Sequence, residues 1–189
     1  MTHKEIPQFL TLFAAALFVA GVGLPASTAH AEPTIKRLDP RSFPGLAASV
    51  RRTLGAHDCT IPQEFEAERR MNIIRGHFVD RRRRDVAALC SHGGKSSILV
   101  IHSKTGQVLA VLAEWPDEHF LQTVDNAGTY GFSRRLGLMS PRMLRQDIRA
   151  AKMPLPAPWR EGIDDYFVDK ASQVHYRHRA SWHVVLGAD

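Results

Sequence analysis

Four consecutive arginines, Arg81, Arg82, Arg83 and Arg84, are the densest charge in the sequence, and Asp80 and Asp85 flank them. Guanidinium groups stay ionised and present forked donors, so the run suits a phosphate, an acidic glycan or a lipid headgroup. The plainer alternative is a solvated turn, screened by salt and offset by the flanking acids. Arg134-Arg135 is a smaller basic pair that could join the same surface. His175 and His183 are the candidates for a metal or acid/base pair. A zinc site would need a third ligand, and no H-x-x-x-H or Cys/His cluster supplies one. His92 beside Gly93-Gly94 reads first as a turn residue. Asp164 and Asp165 are adjacent, so on an extended chain they point to opposite faces and make no dyad; a turn or helix cap is the default for them. Ser91 and Ser96 lack His and Asp partners at an identifying spacing, and no G-x-S-x-G, H-E-x-x-H or Walker pattern occurs. No catalytic residue, metal or cofactor is expected from these patterns.

Cys59 and Cys90 are the only cysteines. In an oxidising compartment two thiols pair. The alternatives are a reactive thiol pair or half a metal site, and the separation lacks the C-x-x-C spacing that either favours. The bond would close a loop of about thirty residues, a constraint of roughly 3–4 kcal/mol on the unfolded chain.

The compartment follows from the first segment. An apolar run from Phe9 to Leu24 leads to Pro25, Ser27 and the small-residue signature Ala29-His30-Ala31. This is the layout of a secretory signal peptide over residues 1–31, cut after Ala31. No second long apolar run follows, so no transmembrane segment is expected after cleavage. The chain of 189 residues carries 25 Lys and Arg against 19 Asp and Glu, a net charge of +6, with 44% hydrophobic residues. That balance excludes a disordered or collagen-like chain and is too short for a multidomain enzyme. Arginine dominates the positive charge, which favours carboxylate and phosphate partners. Export, with no aromatic stacking pattern around the arginines, argues against nucleic acid.

The elements that must position these groups follow from periodicity. Residues 32–39 read as an extended lead-in and 40–189 as one α+β domain. Leu46, Ala47, Val50 and Leu54 fall at helical spacing, predicting a helix over 44–54 that Gly55 stops. Cys59 to Pro62 reads as an extended connector, and Glu64 to Met71 as a single helical turn or a loop. Asn72–Val79, Asp85–Ser91, Ser96–Ser103 and Gln107–Trp115 are strand-like runs with turn-forming breaks, predicting an antiparallel meander. The third run is apolar on both faces, so it should lie centrally and be covered on each side. Tyr130–Leu138 is a candidate fifth strand. Ser140 and Pro141 open a helix over 141–151, and Pro154, Pro156 and Pro158 make a stiff linker.

Ser172–Leu186 resembles a hairpin. A three-residue turn at Arg179–Ser181 would pair His178 with Trp182, Tyr176 with Val184 and Val174 with Leu186. It would also place His175, Arg177 and His183 together on the other face. A shift of one residue sets Tyr176 against His183 and mixes the faces, so the first register is preferred. The expected architecture is a mostly antiparallel sheet, built from the meander and this hairpin, with two or three short helices and one disulfide.

Two stretches together carry a resemblance. One is Cys59-Thr60-Ile61-Pro62-Gln63 with Asn72–Gly76, Phe78 and Asp85-Val86-Ala87-Ala88-Leu89-Cys90-Ser91. The other is Gly162-Ile163-Asp164-Asp165, Lys170-Ala171-Ser172, His175-Tyr176, Trp182 and Gly187-Ala188-Asp189. They resemble a group of small secreted bacterial proteins of unknown function, over most of residues 43–189. The resemblance implies export, a disulfide and one domain, and it implies no activity. Gly76-x-Phe78 … Asp85-x-Ala87-x-Leu89 is also similar to one FG-GAP repeat. It occurs once, with arginines where such repeats carry a calcium loop, so neither calcium nor a propeller is carried over.

The resulting expectation is a periplasmic or secreted, non-catalytic module. It would bind an envelope or extracellular component that is anionic, through Arg81–Arg84. The rival from a different class is a small cell-envelope hydrolase with His175 and His183 at a metal or acid/base site.

Overall fold

Ile98, Leu99, Val100 and Ile101 leave no polar side chain to face water, and all four are buried. A strand like that needs a cover on each face, and the fold supplies two. The structure is a computed structural model that describes residues 34–154, 156 and 158–187. The expected leader, residues 1–31, lies outside them, as do Ala188 and Asp189 of the closing motif.

In chain order the strands are β1 (Arg37–Leu38), β2 (Ile61–Pro62), β3 (Ile73–Gly76), β4 (Asp85–His92), β5 (Lys95–Ile101), β6 (Val108–Pro116), β7 (Leu121–Thr123), β8 (Tyr130–Phe132), β9 (Arg134–Met139), β10 (Gly162–Phe167), β11 (Ala171–His178) and β12 (Ser181–Leu186). Helix α1 (Ala48–Ala56) follows β1, and α2 (Pro141–Ala150) follows β9. The meander is β3-β4-β5-β6, antiparallel throughout. A second four-stranded antiparallel sheet runs β12-β11-β10-β9, and β1-β2 and β7-β8 are short pairs. The meander and the hairpin are therefore in separate sheets, not in the single sheet expected.

Three cores stack these parts into four layers. Val50 and Leu54 of α1 cover Val86, Ala88, Leu99 and Ile101 on one face of the meander. Its other face, Ala87, Leu89, Ile98 and Val100, packs on Phe132, Leu136 and Ile163. On the far side of the second sheet, Leu144 and Ile148 of α2 cover Val174, Tyr176 and Val185. Ser140 caps α2 by accepting from the Met143 N–H, with Pro141 at the first position, as the sequence predicts. Helix α1 starts later than expected, because Pro44 and Gly45 form a turn before it. Gly55 lies inside its last turn, and Asp58 takes the left-handed conformation beyond its end.

Three expectations are corrected. The 130–138 strand is two strands, broken at Ser133, whose N–H and carbonyl bond Phe120 and Val168 outside either ladder. Asp164 and Asp165, expected in a turn or helix cap, lie in a strand, Gly162–Phe167, inside the second sheet. The hairpin pairs Tyr176 with His183, His175 with Val184 and His178 with Ser181, which is the register judged less favourable. The rejected register was judged by its mixed faces. Here buried residues lie on both faces, His175 on one and Val174 and Tyr176 on the other, while apolar Val184 and Leu186 stay exposed, so polar alternation does not select the pairing.

Asn72 joins the sheets at the level of the backbone. With φ at 70°, it turns its amide toward β9, donating to the Arg134 carbonyl at 3.1 Å and accepting from the Leu136 N–H at 2.8 Å. Gln63 ties the chain just before β3 to β2, accepting from the Met71 N–H and donating to the Met71 carbonyl. The Cys59–Cys90 disulfide is present and links the end of the α1 region to β4. No helix among the described residues is long and apolar enough to cross a membrane.

Candidate functional site

The arginine run sits in the loop between β3 and β4, and that loop is tightly tied. The Phe78 ring folds back against Gly76, where a Cβ would lie 2.6 Å from it, so only glycine fits there. Buried Asp85 accepts from the Val79 N–H at 3.1 Å and from Arg83 Nε at 2.7 Å. Arg84 donates to the Arg75 carbonyl. Asp80 accepts from the Arg82 N–H; that bond, with the charges of Arg83, Arg82 and Arg160, holds its carboxyl below the usual range. Two of the four guanidiniums are thus spent on the loop itself. Arg81 instead lies over the Trp159 ring, 5.5 Å from its centroid.

Trp159 and Arg160 are delivered by the proline-rich segment after α2. Arg145 of α2 donates to the Pro158 carbonyl, the Tyr176 hydroxyl donates to the Pro156 carbonyl, and Glu161 accepts from the His77 N–H at 2.6 Å. The third contributor is the tip of the β11–β12 hairpin, with Arg177, His178 and Arg179. Together Arg81, Trp159, Arg160, Arg177, His178 and Arg179 line a cavity of about 280 Å³. Four arginines line it, and among the described residues no carboxylate does. Nε of Arg160 and Nε of Arg177 are buried with no hydrogen-bond acceptor among the described residues. Buried donors are nearly always paired, so these two stand out as donors for which the described residues supply no acceptor. Stacking occupies the face of the Arg81 guanidinium and leaves its N–H edge free for an anion.

The turn that carries Arg179 has two residues, Arg179 and Ala180, and φ of Arg179 is 55°. Glycine is the usual occupant of a positive-φ position in a two-residue hairpin turn. A side chain there costs about 1–2 kcal/mol. Arg179→Gly is therefore expected to raise the thermal midpoint while removing a pocket cation. Differential scanning calorimetry checks the first effect; a lowered midpoint would show that the arginine supports the fold.

The histidine pair does not assemble. His175 faces the meander and His183 faces α2's side, because each is paired with the other's neighbour across the hairpin. His175 is buried with Nε2 3.9 Å from Asp165 Oδ2, and burial pushes its imidazole below the usual value against the pull of that carboxylate. His183 stacks on Tyr176 at 5.4 Å and meets His178 edge-on. Among the described residues no group of three His, Cys, Asp or Glu side chains is placed to hold a metal.

The remaining candidates belong to the scaffold. Asp164 and Asp165 do point to opposite faces of β10. Asp164 is buried, which pushes its carboxyl above the usual range, with the Tyr166 and Ser172 hydroxyls beside it. Asp165 takes both oxygens to Arg134, which is fully buried and so unavailable to a ligand. Ser91 is buried and donates to Asp117 Oδ2, which also accepts from Arg37. Ser96 accepts from Arg134 through its hydroxyl.

Sequence reasoning missed Trp159, Arg160, Arg177 and Arg179. The visible signals were a Trp-Arg pair after three spaced prolines and the alternating basic string Arg177-His178-Arg179. Nothing in the spacing ties these to residue 81. No family model, curated protein or solved structure matches the chain.

Proposed function

We propose that this is an exported, non-catalytic module that binds an anionic component of the cell envelope. The ligand group is held between Arg81, Arg160, Arg177 and Arg179. The observation that carries the reading is the convergence of four arginines on one cavity that, among the described residues, no carboxylate lines. Without a bound anion these charges repel one another, which a structural role would not require. The disulfide fits an oxidising compartment. His175, half of the His175 and His183 pair on which the hydrolase reading rests, is buried and lies on the opposite face of the hairpin from His183.

Binding to purified envelope material separates this reading from a merely soluble turn. Arg81→Ser should lose binding at low salt, whereas Arg82→Ser, outside the cavity lining, should retain it. Binding by the parent should fall as salt rises, because exposed charges are screened over about 8 Å at physiological ionic strength. Unchanged binding by Arg81→Ser would return the whole run to the role of a solvated turn.

A further inference from the structure

We propose that the group this pocket takes is a phosphoryl group, the terminal phosphate monoester of a larger molecule. The inference rests on the anion-binding reading above and narrows it to one chemistry. Charge is the first reason. Four arginines line the cavity. Of the nearby acids, Asp80 is close enough to feel Arg160 but accepts from the Arg82 N–H. Glu161 is turned to His77. A carboxylate brings one negative charge, and a phosphate monoester brings about 1.5–2 at neutral pH. Only the second approaches compensation of the site.

Geometry is the second reason. The donors come from three separate segments: the β3–β4 loop, the stretch before β10 and the hairpin tip. A planar carboxylate is satisfied by a single guanidinium fork. A tetrahedral group with three terminal oxygens can accept from several directions at once, which suits arginines that line one cavity from three segments.

Size is the third reason. At about 280 Å³ the cavity is smaller than the roughly 300–1,000 Å³ of pockets that enclose a whole small molecule. It accommodates a headgroup, and the body of the ligand lies outside, over Trp159, which is 62% exposed at the rim. An indole face offers apolar contact to a sugar ring or an acyl-glycerol backbone alike, so the phosphate is the shared recognition element.

The test is calorimetric titration of the purified protein with inorganic phosphate and with sodium acetate, at low ionic strength and pH 7.5. Phosphate should bind at least about tenfold more tightly than acetate. Arg177→Gln should weaken phosphate at least about tenfold, and Arg82→Gln should leave it within about twofold. Arg179→Gly repeats the loss at a position where no buried contact is at stake, should Arg177→Gln fold poorly. Vesicles containing phosphatidic acid distinguish the sources. Binding to them that inorganic phosphate displaces, and that phosphatidylglycerol vesicles do not reproduce, supports a lipid monoester. Phosphate binding without vesicle binding supports a soluble phosphorylated ligand. Acetate equal to phosphate, with both dependent on Arg177, would overturn the phosphoryl assignment and leave the anion pocket standing. Binding of neither anion, or binding indifferent to Arg177 and Arg179, would remove both.

Discussion

Arg134→Met should destabilise the protein by about 3–5 kcal/mol, the usual cost of removing one partner from a buried ion pair. Arg134 is fully buried between the two large sheets, and each of its five N–H donors has an acceptor. Nε and one terminal nitrogen grip the two oxygens of Asp165; the others reach the Ser96 carbonyl, the Ser96 hydroxyl and the Ala113 carbonyl. The guanidinium also lies 4.5 Å from the centroid of the Phe120 ring. The backbone is bent to make this possible. Ala113 sits in an irregularity of the β5–β6 pairing with φ at 49°, a conformation unfavourable for a residue with a Cβ. Methionine would fill the volume but leave the Asp165 carboxylate charged and without its principal partner. Arg134→Lys should fail almost as badly, because one ammonium cannot span acceptors on three strands. Chemical denaturation should show a lower midpoint with an unchanged slope, the sign of lost native stability. Adding Asp165→Leu to Arg134→Met should recover much of the loss, since the pair's own desolvation then disappears. A double variant no better than Arg134→Met would show that the carbonyl contacts, not the ion pair, hold the sheets together.

The same arginine explains why some of this architecture could be read from the sequence and some could not. The meander is determined by runs and breaks that are neighbours in the chain, and Ser140-Pro141 starts α2 by local capping. Both were predicted within a few residues. Strand β10 was not, because two adjacent aspartates look like a turn until the partner of one is known, and Arg134 is 31 residues away. The hairpin register failed for a different reason. Alternation selects a register only when one face meets water, and here β11 buries His175 on one face and Val174 and Tyr176 on the other. The site shows both effects. The arginine run drew notice as a contiguous feature, yet Arg83 and Arg84 are bonded locally. The cavity takes only Arg81 from it, alongside residues some eighty to a hundred positions further on. Composition reveals that arginines are abundant; only the three-dimensional fold sorts which are spent and which are free.

Replacing Cys59 and Cys90 together with alanine should cost about 3–4 kcal/mol, close to the effect of Arg134→Met but reached through the other end of the equilibrium. The two cysteines are 31 residues apart. Their bond forbids the unfolded chain every arrangement in which that loop is open. The folded chain relies on it much less. Both cysteines are buried in the core under α1, Cys59 donates its N–H to the Leu54 carbonyl, and the next residue, Thr60, exchanges two backbone hydrogen bonds with Ser91. The double variant should therefore keep its near-ultraviolet circular dichroism while its denaturation midpoint falls. Its slope should rise, because a denatured chain freed of the cross-link exposes more surface. That change of slope distinguishes it from Arg134→Met, where the loss is in the native state alone. The parent protein treated with reductant should behave like the double variant. Material from an oxidising compartment should show no alkylatable thiol until it is reduced. Two reactive thiols in the native protein would remove the support the bond gives to export, and an unchanged midpoint on reduction would remove its contribution to stability.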